Sequence, residues 1–301
     1  MKISVIVPIY NMEKFIMRAI SCLKAQDEPN IEFLLVNDGS TDATLNILEQ
    51  LCANDGRFHI FSMENRGYGH ACNFGIKQAT GDFWAIYEPD DCITPDFYSC
   101  LWQTADRYSQ ADIIRYNGIY RHENGQSRTL YHWKQNFTGK ILDKYALKRF
   151  WRSHPSVFNG IYRKNFMRQK SVCFCETPGA SFQDAMFVVS LFYANPSIYI
   201  INDIKYTYTI HNMQSIQFVD DKIDFVIKAW EMEADWIFNN GFRDYDLFLY
   251  KVFTQMNSLL KRVSPKNKEK LMHKFKYLNK GKIYLDSDIP TIAQKIKYAL
   301  A

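Results

Sequence analysis

Four short apolar runs, each followed by a segment of turn residues or helical periodicity, constrain this chain more than any other feature. ISVIVPIY (3–10) is β-branched and closes on Pro8-Ile9-Tyr10, as a strand buried on both faces does. Over 13–26, Phe15, Ile16, Ala19, Ile20 and Leu23 then fall on one helical face. IEFLLV (31–36) predicts a second buried strand, and DGSTDATLNILEQL turns and continues as a helix through Leu45, Leu48 and Leu51. FHIFSM (58–63) and FWAIYE (83–88) predict a third and a fourth strand, with a helix over 67–79 between them. Thr94-Pro95-Asp96 reads as the N-cap, N1 and N2 of the next helix. Strands that alternate with helices this closely pair side by side in a mostly parallel sheet with helices on both faces, an α/β fold.

The remainder is less regular. Residues 112–135 are hairpin-like around Asn124-Gly125. From about 219 the patterns are helical, with a break at Ser264-Pro265. With 301 residues, 47% of them hydrophobic, the chain can bury the core of one large or two modest domains. Its formal charge of +5 is uneven: residues 261–282 carry nine Lys/Arg against the acid Glu269, which leaves the rest net negative. A helical stripe of Leu271, Phe275 and Leu278 ringed by lysines suits either an anionic membrane surface or a solvated helix packed on its own domain.

The seven cysteines form no CxxC pair and read as reduced thiols of a cytoplasmic protein. Cys173-x-Cys175 fits alternate positions of a strand better than half a metal site. No secretory leader is expected before Ile3, and no run reaches the ~20 apolar residues of a membrane span. Without a leader the sequon at Asn136 carries no weight. Nothing in the charge pattern calls for nucleic acid.

Parallel sheets bind ligands beyond the carboxyl ends of their strands. Three polar clusters fall there: Pro8 to Asn11, Asn37 to Asp42, and Glu88 to Asp91. In YEPDD (87–91) three carboxylates crowd behind a buried strand. Clefted carboxylates repel one another unless a cation joins them, and Mg²⁺ or Mn²⁺ bridging to a phosphate is the natural partner. A solvated turn leading into the helix after Thr94 is the alternative.

Together the segments VIVPIYNMEKFIMRAISCLKAQ, FLLVNDGSTDAT, ENRGYGHACNFGIKQATGDFWAIYEPDD and ETPGASFQD resemble, in order, glycosyltransferase family 2 over roughly residues 1–215. The chain is most similar to bacterial enzymes that build capsule, O-antigen or lipooligosaccharide. The resemblance implies a GT-A fold, a nucleotide-sugar donor, a divalent metal and inversion at the anomeric carbon. It divides the chain into a catalytic domain, 1–215, with a nucleotide-binding half (1–110) and an acceptor half (111–215), followed by a helical basic region, 216–301.

Carried over by residue, Pro8 and Tyr10 match positions beside the base, and Asp38 matches the acid that reads its edge, usually uracil. Asn37 stands where a second Asp is common. Asn65, Gly67 and Asn73 match the donor-lining segment, with Cys72 in place of a frequent arginine. Glu88-Pro89-Asp90 matches the D-x-D motif: Asp90 is the implied metal ligand and Glu88 the implied contact to the donor ribose or sugar. Asp91 corresponds to an acid that orients the loop. Asp184 in SFQD matches the catalytic base, with a helix cap as its other reading. His154 and His211 fall in segments that resemble the acceptor side and a loop over the diphosphate, where Thr209 replaces an arginine.

Such an enzyme would move a sugar from a UDP-sugar to a hydroxyl of a glycan or lipid-linked glycan, in the cytoplasm or at the inner face of the membrane. Two rivals keep the same carboxylates. A sugar nucleotidyltransferase would carry a glycine-rich, Arg-containing loop after the first strand, which PIYNMEKF lacks. A non-catalytic nucleotide-sugar or glycan-binding module would have no use for both Asp90 and Asp184.

Overall fold

The computed structural model describes residues 1–123, 126–131, 137–143, 146–147, 157–180, 182–210, 220–242 and 245–280. The alternating runs form β1 (Ile3–Ile9), α1 (Ile16–Lys24), β2 (Ile31–Asp38), α2 (Thr44–Cys52), β3 (Phe58–Met63), α3 (Tyr68–Gln78) and β4 (Phe83–Ile86). Every residue of β1, β2 and β4 is buried, which explains their continuous apolar character. A fully buried Val, Leu or Ile contributes about 1.5–3 kcal/mol, so this central ladder dominates the core.

Cys92–Ile93 forms β5, and α4 spans Phe97–Arg107. That helix begins two residues later than the Thr94-Pro95 pattern predicts. The Thr94 amide donates to the Lys205 carbonyl at 3.1 Å, which holds residue 94 in extended chain. Asp96 takes the N-cap position, with its carboxylate on Lys205 Nζ at 2.6 Å.

Beyond it come β6 (Ile113–Tyr116), β7 (Gly118–Glu123), β8 (Gln126–Tyr131), β9 (Gly160–Arg163), α5 (Lys164–Gln169), α6 (Gln183–Ala194), β10 (Ile198–Ile201) and β11 (Tyr206–Ile210). The hairpin is β7–β8, with Glu123 opposite Gln126; its two turn residues lie outside the described residues. The main sheet has the order β10-β6-β9-β4-β1-β2-β3, in which only β9 runs against its neighbours. A second sheet, β5-β11-β7-β8, stands at the carboxyl end of β4.

The last described helices are α7 (Ile223–Asn239), α8 (Asp246–Leu259) and α9 (Pro265–Lys280). They share a hydrophobic cluster with Met186 and Val189 of α6. Leu271 and Phe275 are buried there, and Leu278 packs against the same cluster. Lys274 binds Glu231 at 2.5 Å, and Lys270 pairs with Asp224. The apolar stripe of the basic helix is thus occupied by its own protein and is not free to insert into a bilayer. No described helix is long and apolar enough to cross a membrane. The boundary at residue 215 falls outside the described residues.

Candidate active site

β1 leads to β2 and β3 on one side, while β4 pairs on its other side. The crevice between the ends of β1 and β4 is therefore the point where strand order reverses. Pro8 is buried at the end of β1, and Tyr10 just beyond it is 46% exposed, an aromatic ring open to a ligand.

At the end of β2, Asn37 is buried and donates to Ser62 at 2.9 Å, tying β2 to β3. The buried Asp38 carboxylate accepts the Arg66 amide at 2.9 Å and the Gly67 amide at 2.8 Å. Asn65 donates to the Asp38 carbonyl at 2.9 Å. The 65–67 loop is thereby laced to β2, and each Asp38 oxygen keeps capacity for a second donor. Gly67 is required here: its φ is +98°, and an added Cβ would lie 2.4 Å from the Thr177 carbonyl.

Asn73, in the segment that the resemblance places along the donor, is bonded to the chain at 174–176. Its amide donates to the Phe174 carbonyl at 2.9 Å and to Glu176 at 3.0 Å, and its oxygen accepts the Phe174 amide at 2.9 Å. Both amide hydrogens are engaged within the chain, so Asn73 fastens 174–176 along α3. Cys72, in place of the arginine, is fully buried, and burial holds its thiol far above the ordinary range.

The segment laid along α3 delivers Asp184. Tyr68 donates its amide to the Gly179 carbonyl at 2.9 Å, and Gln183 donates to Thr177 Oγ1 at 2.8 Å and the Gly179 carbonyl at 3.2 Å. Phe182, at φ +64°, turns the chain into α6 and holds its N-cap position. Asp184 lies inside the first turn, so it is not the N-cap residue. Its carboxylate is close enough to Glu88 to raise that group's pKa.

Glu88, Asp90 and Asp91 can each offer an oxygen within 4.8 Å of the others, the one such group among the described residues. Burial, then Asp90 and Asp184, push the Glu88 carboxyl up to about 8, and the Tyr68 hydroxyl donates to it at 3.3 Å. Asp91 is fully buried and also raised, by burial and the charges of Asp90 and Glu88. Both its oxygens are engaged, by the Tyr206 hydroxyl at 2.7 Å and the Thr209 amide at 2.8 Å. Behind them Phe158 stacks on Tyr206 and Tyr208 at 4.5 and 5.7 Å. Hard oxygen donors whose charges repel in a half-buried cleft fit Mg²⁺ or Mn²⁺, and the half-buried Glu88 and Asp90 are better placed to reach it than the fully buried Asp91.

Lys251 is a residue that pattern reading passed over. It is 5% exposed on α8, and burial pulls its ammonium down to about 8, against the favourable charge of Asp184. Its signal was a single cation at helical spacing from Leu247, among the buried Phe248, Val252 and Gln255 of α8. Thr209 serves Asp91 through its backbone, and His154 and His211 lie outside the described residues. Cys173 and Cys175 belong to no strand; Cys173 is exposed, and Cys175 is buried against Glu233. A cavity of about 370 Å³ between Phe166, Tyr193 and Trp236 lies at the far end of α6, away from the carboxylates.

Residues 4–190 match the sequence profile of glycosyl transferase family 2. The putative glycosyltransferase EpsH of Bacillus subtilis is 38% identical over 114 residues, which cover 38% of this chain and 33% of EpsH. Glycosyltransferase GlyA of Streptococcus pneumoniae is 32% identical over 168 residues, covering 56% of this chain and 22% of GlyA. The chain thus spans a third or less of the length of these two relatives. Staphylococcus aureus TarS 1–349, solved in complex with UDP-GlcNAc, superposes with a TM-score of 0.72 over 92% of this chain and 81% of its own, at 23% identity. That likeness carries the fold, GT-A, with its mostly parallel sheet and helical C-terminal region. With the match over residues 4–190, the chain belongs to glycosyltransferase family 2.

Proposed function

We propose that this chain transfers a sugar from a UDP-sugar to a hydroxyl of a glycan or lipid-linked glycan, with inversion at the anomeric carbon. The observation that carries the reading is the approach of Asp184, on a helix N-terminal turn, to the Glu88–Asp90 carboxylates at the end of β4. The complex of TarS with UDP-GlcNAc supports a uridine donor.

Tyr10 offers its exposed ring to the base, and Asp38 accepts from the base edge with the oxygen capacity left beside its two amide bonds. Asp90 would ligate Mg²⁺ or Mn²⁺, with Glu88 beside it either completing the oxygen set or meeting the donor ribose or sugar, and the bound ion would neutralise the diphosphate. Asp184 accepts the proton of the acceptor hydroxyl as its oxygen attacks the anomeric carbon and the nucleoside diphosphate departs. One base suffices, since inversion needs no carboxylate nucleophile. Residues 1–215 form the catalytic domain. The described helices α7, α8 and α9 buttress α6, and the exposed Lys261, Lys266, Lys268 and Lys276 favour contact with anionic lipid headgroups.

The test is a panel of nucleotide sugars with Mn²⁺, read by free nucleoside diphosphate. Release from a UDP-sugar is expected. Pyrophosphate from a nucleoside triphosphate and a sugar phosphate would establish a nucleotidyltransferase, and binding without release a carbohydrate-recognition module.

A further inference from the structure

We propose that Cys22 and Cys92 are a reversible oxidation site, closed to a disulfide by a small-molecule disulfide and acting on the neighbouring acidic loop. The two sulfurs lie 3.7 Å apart, in a thiol–thiol hydrogen bond between α1 and β5. Both residues are partly exposed, whereas Cys52, Cys72 and Cys175 are buried. Sharing the hydrogen bond with Cys92 pulls the Cys22 thiol down to about 6, and Arg18 favours its charged form. Arg18 lies one turn before Cys22 on α1, which makes Cys22 the attacking thiol.

The exchange balances. The Cys22 thiolate attacks one sulfur of the reagent and expels the first thiolate, giving a mixed disulfide. Cys92 then attacks the Cys22 sulfur, its proton passing to the departing thiolate, and expels the second. Two electrons pass from the protein to the reagent, which leaves as two thiols.

The consequence follows from where Cys92 stands. It directly follows Asp91, and one turn before Cys22 on α1, Arg18 donates to the Asp90 carbonyl at 2.5 Å. A disulfide bond is about 2.05 Å long, so the sulfurs must close by more than an ångström. Ile16, Ala19, Ile20 and Leu23 anchor α1 in the core, while β5 is only two residues long. Rotation of the two side chains closes part of this gap, and the backbone share falls on β5 and on the Asp90–Asp91 loop before it. Asp91 would be drawn from Tyr206 and Thr209, and Asp90 from Glu88. Displacing groups that support metal ligands typically weakens metal affinity about 10–100-fold.

The effect on metal rests on the proposed role of Asp90, so the test reads the thiols separately. The protein is incubated with oxidised glutathione and mapped by mass spectrometry without reduction, and Mn²⁺ affinity is titrated before oxidation, after it, and after dithiothreitol. Expected are a Cys22–Cys92 crosslink, Mn²⁺ affinity at least about tenfold weaker, and recovery on reduction, with Cys22→Ser and Cys92→Ser both insensitive. Glutathione on Cys173 with Cys22 and Cys92 unlinked would overturn the site. A crosslink that leaves Mn²⁺ affinity unchanged would overturn its coupling to the loop. A reduced protein that binds no Mn²⁺ would refute the metal assignment, while the peptide map still decides the thiol pair.

Discussion

Asp91 accepts the Tyr206 hydroxyl at 2.7 Å from within the acidic cluster, so one of its three carboxylates binds the second sheet and not the cleft. Its other oxygen takes the Thr209 amide at 2.8 Å. Neighbouring acids in one motif therefore have separable tasks.

Asp91→Ala should be a stability mutant. It leaves the buried Tyr206 phenol without its carboxylate acceptor, at a cost of about 1–3 kcal/mol, and removes the bond to the part-buried Thr209 amide. Asp90→Ala, at a half-buried position, should fold normally and lose Mn²⁺ binding. Urea unfolding and Mn²⁺ titration of both variants check this; equal stability loss in the two would contradict the division.

Tyr10→Ala should leave the melting temperature unchanged, because the ring is 46% exposed. Loss of base stacking should weaken UDP binding by about 1–3 kcal/mol. Calorimetry should also find UDP preferred over GDP in the wild type; preference for GDP would overturn the uridine assignment.

Glu233 of α7 is 2% exposed, accepts Ser190 Oγ at 2.7 Å and faces Cys175. Burial raises its carboxyl to about 8, against these hydrogen bonds. A carboxyl raised on folding contributes stability that is fully present below its unfolded pKa and is lost as pH rises through the folded one. Wild-type stability should therefore fall across about pH 4.5 to 8, by up to ~1.4 kcal/mol per pH unit from this group, and then level. Glu233→Gln should flatten that slope. Parallel denaturation profiles for the two proteins from pH 5 to 9 would show that Glu233 is not the source.

The β1–β4 half was legible because its burial is written as uninterrupted apolar runs, with the polar clusters directly behind them. β9 was not: it inserts antiparallel between β4 and β6 through a pairing distant in sequence, which local periodicity does not encode. The start of α4 was missed because Lys205, far along the chain, holds Thr94 extended. Asp38, Asp90 and Asp184 came from motif order. The tie of Asn73 to Phe174 spans a hundred residues of sequence, and motif order carries no information about that.

Proton removal by Asp184 is central to the proposed transfer, and donor hydrolysis tests it without a known acceptor, since water also must lose a proton as it attacks. Release of UDP from a UDP-sugar with Mn²⁺ is measured for wild type and Asp184→Asn, with UDP affinity and melting temperature on the same preparations. Turnover should fall by about 10²–10⁴-fold with the other two unchanged. Near wild-type release by Asp184→Asn would contradict the assignment of Asp184 as the base.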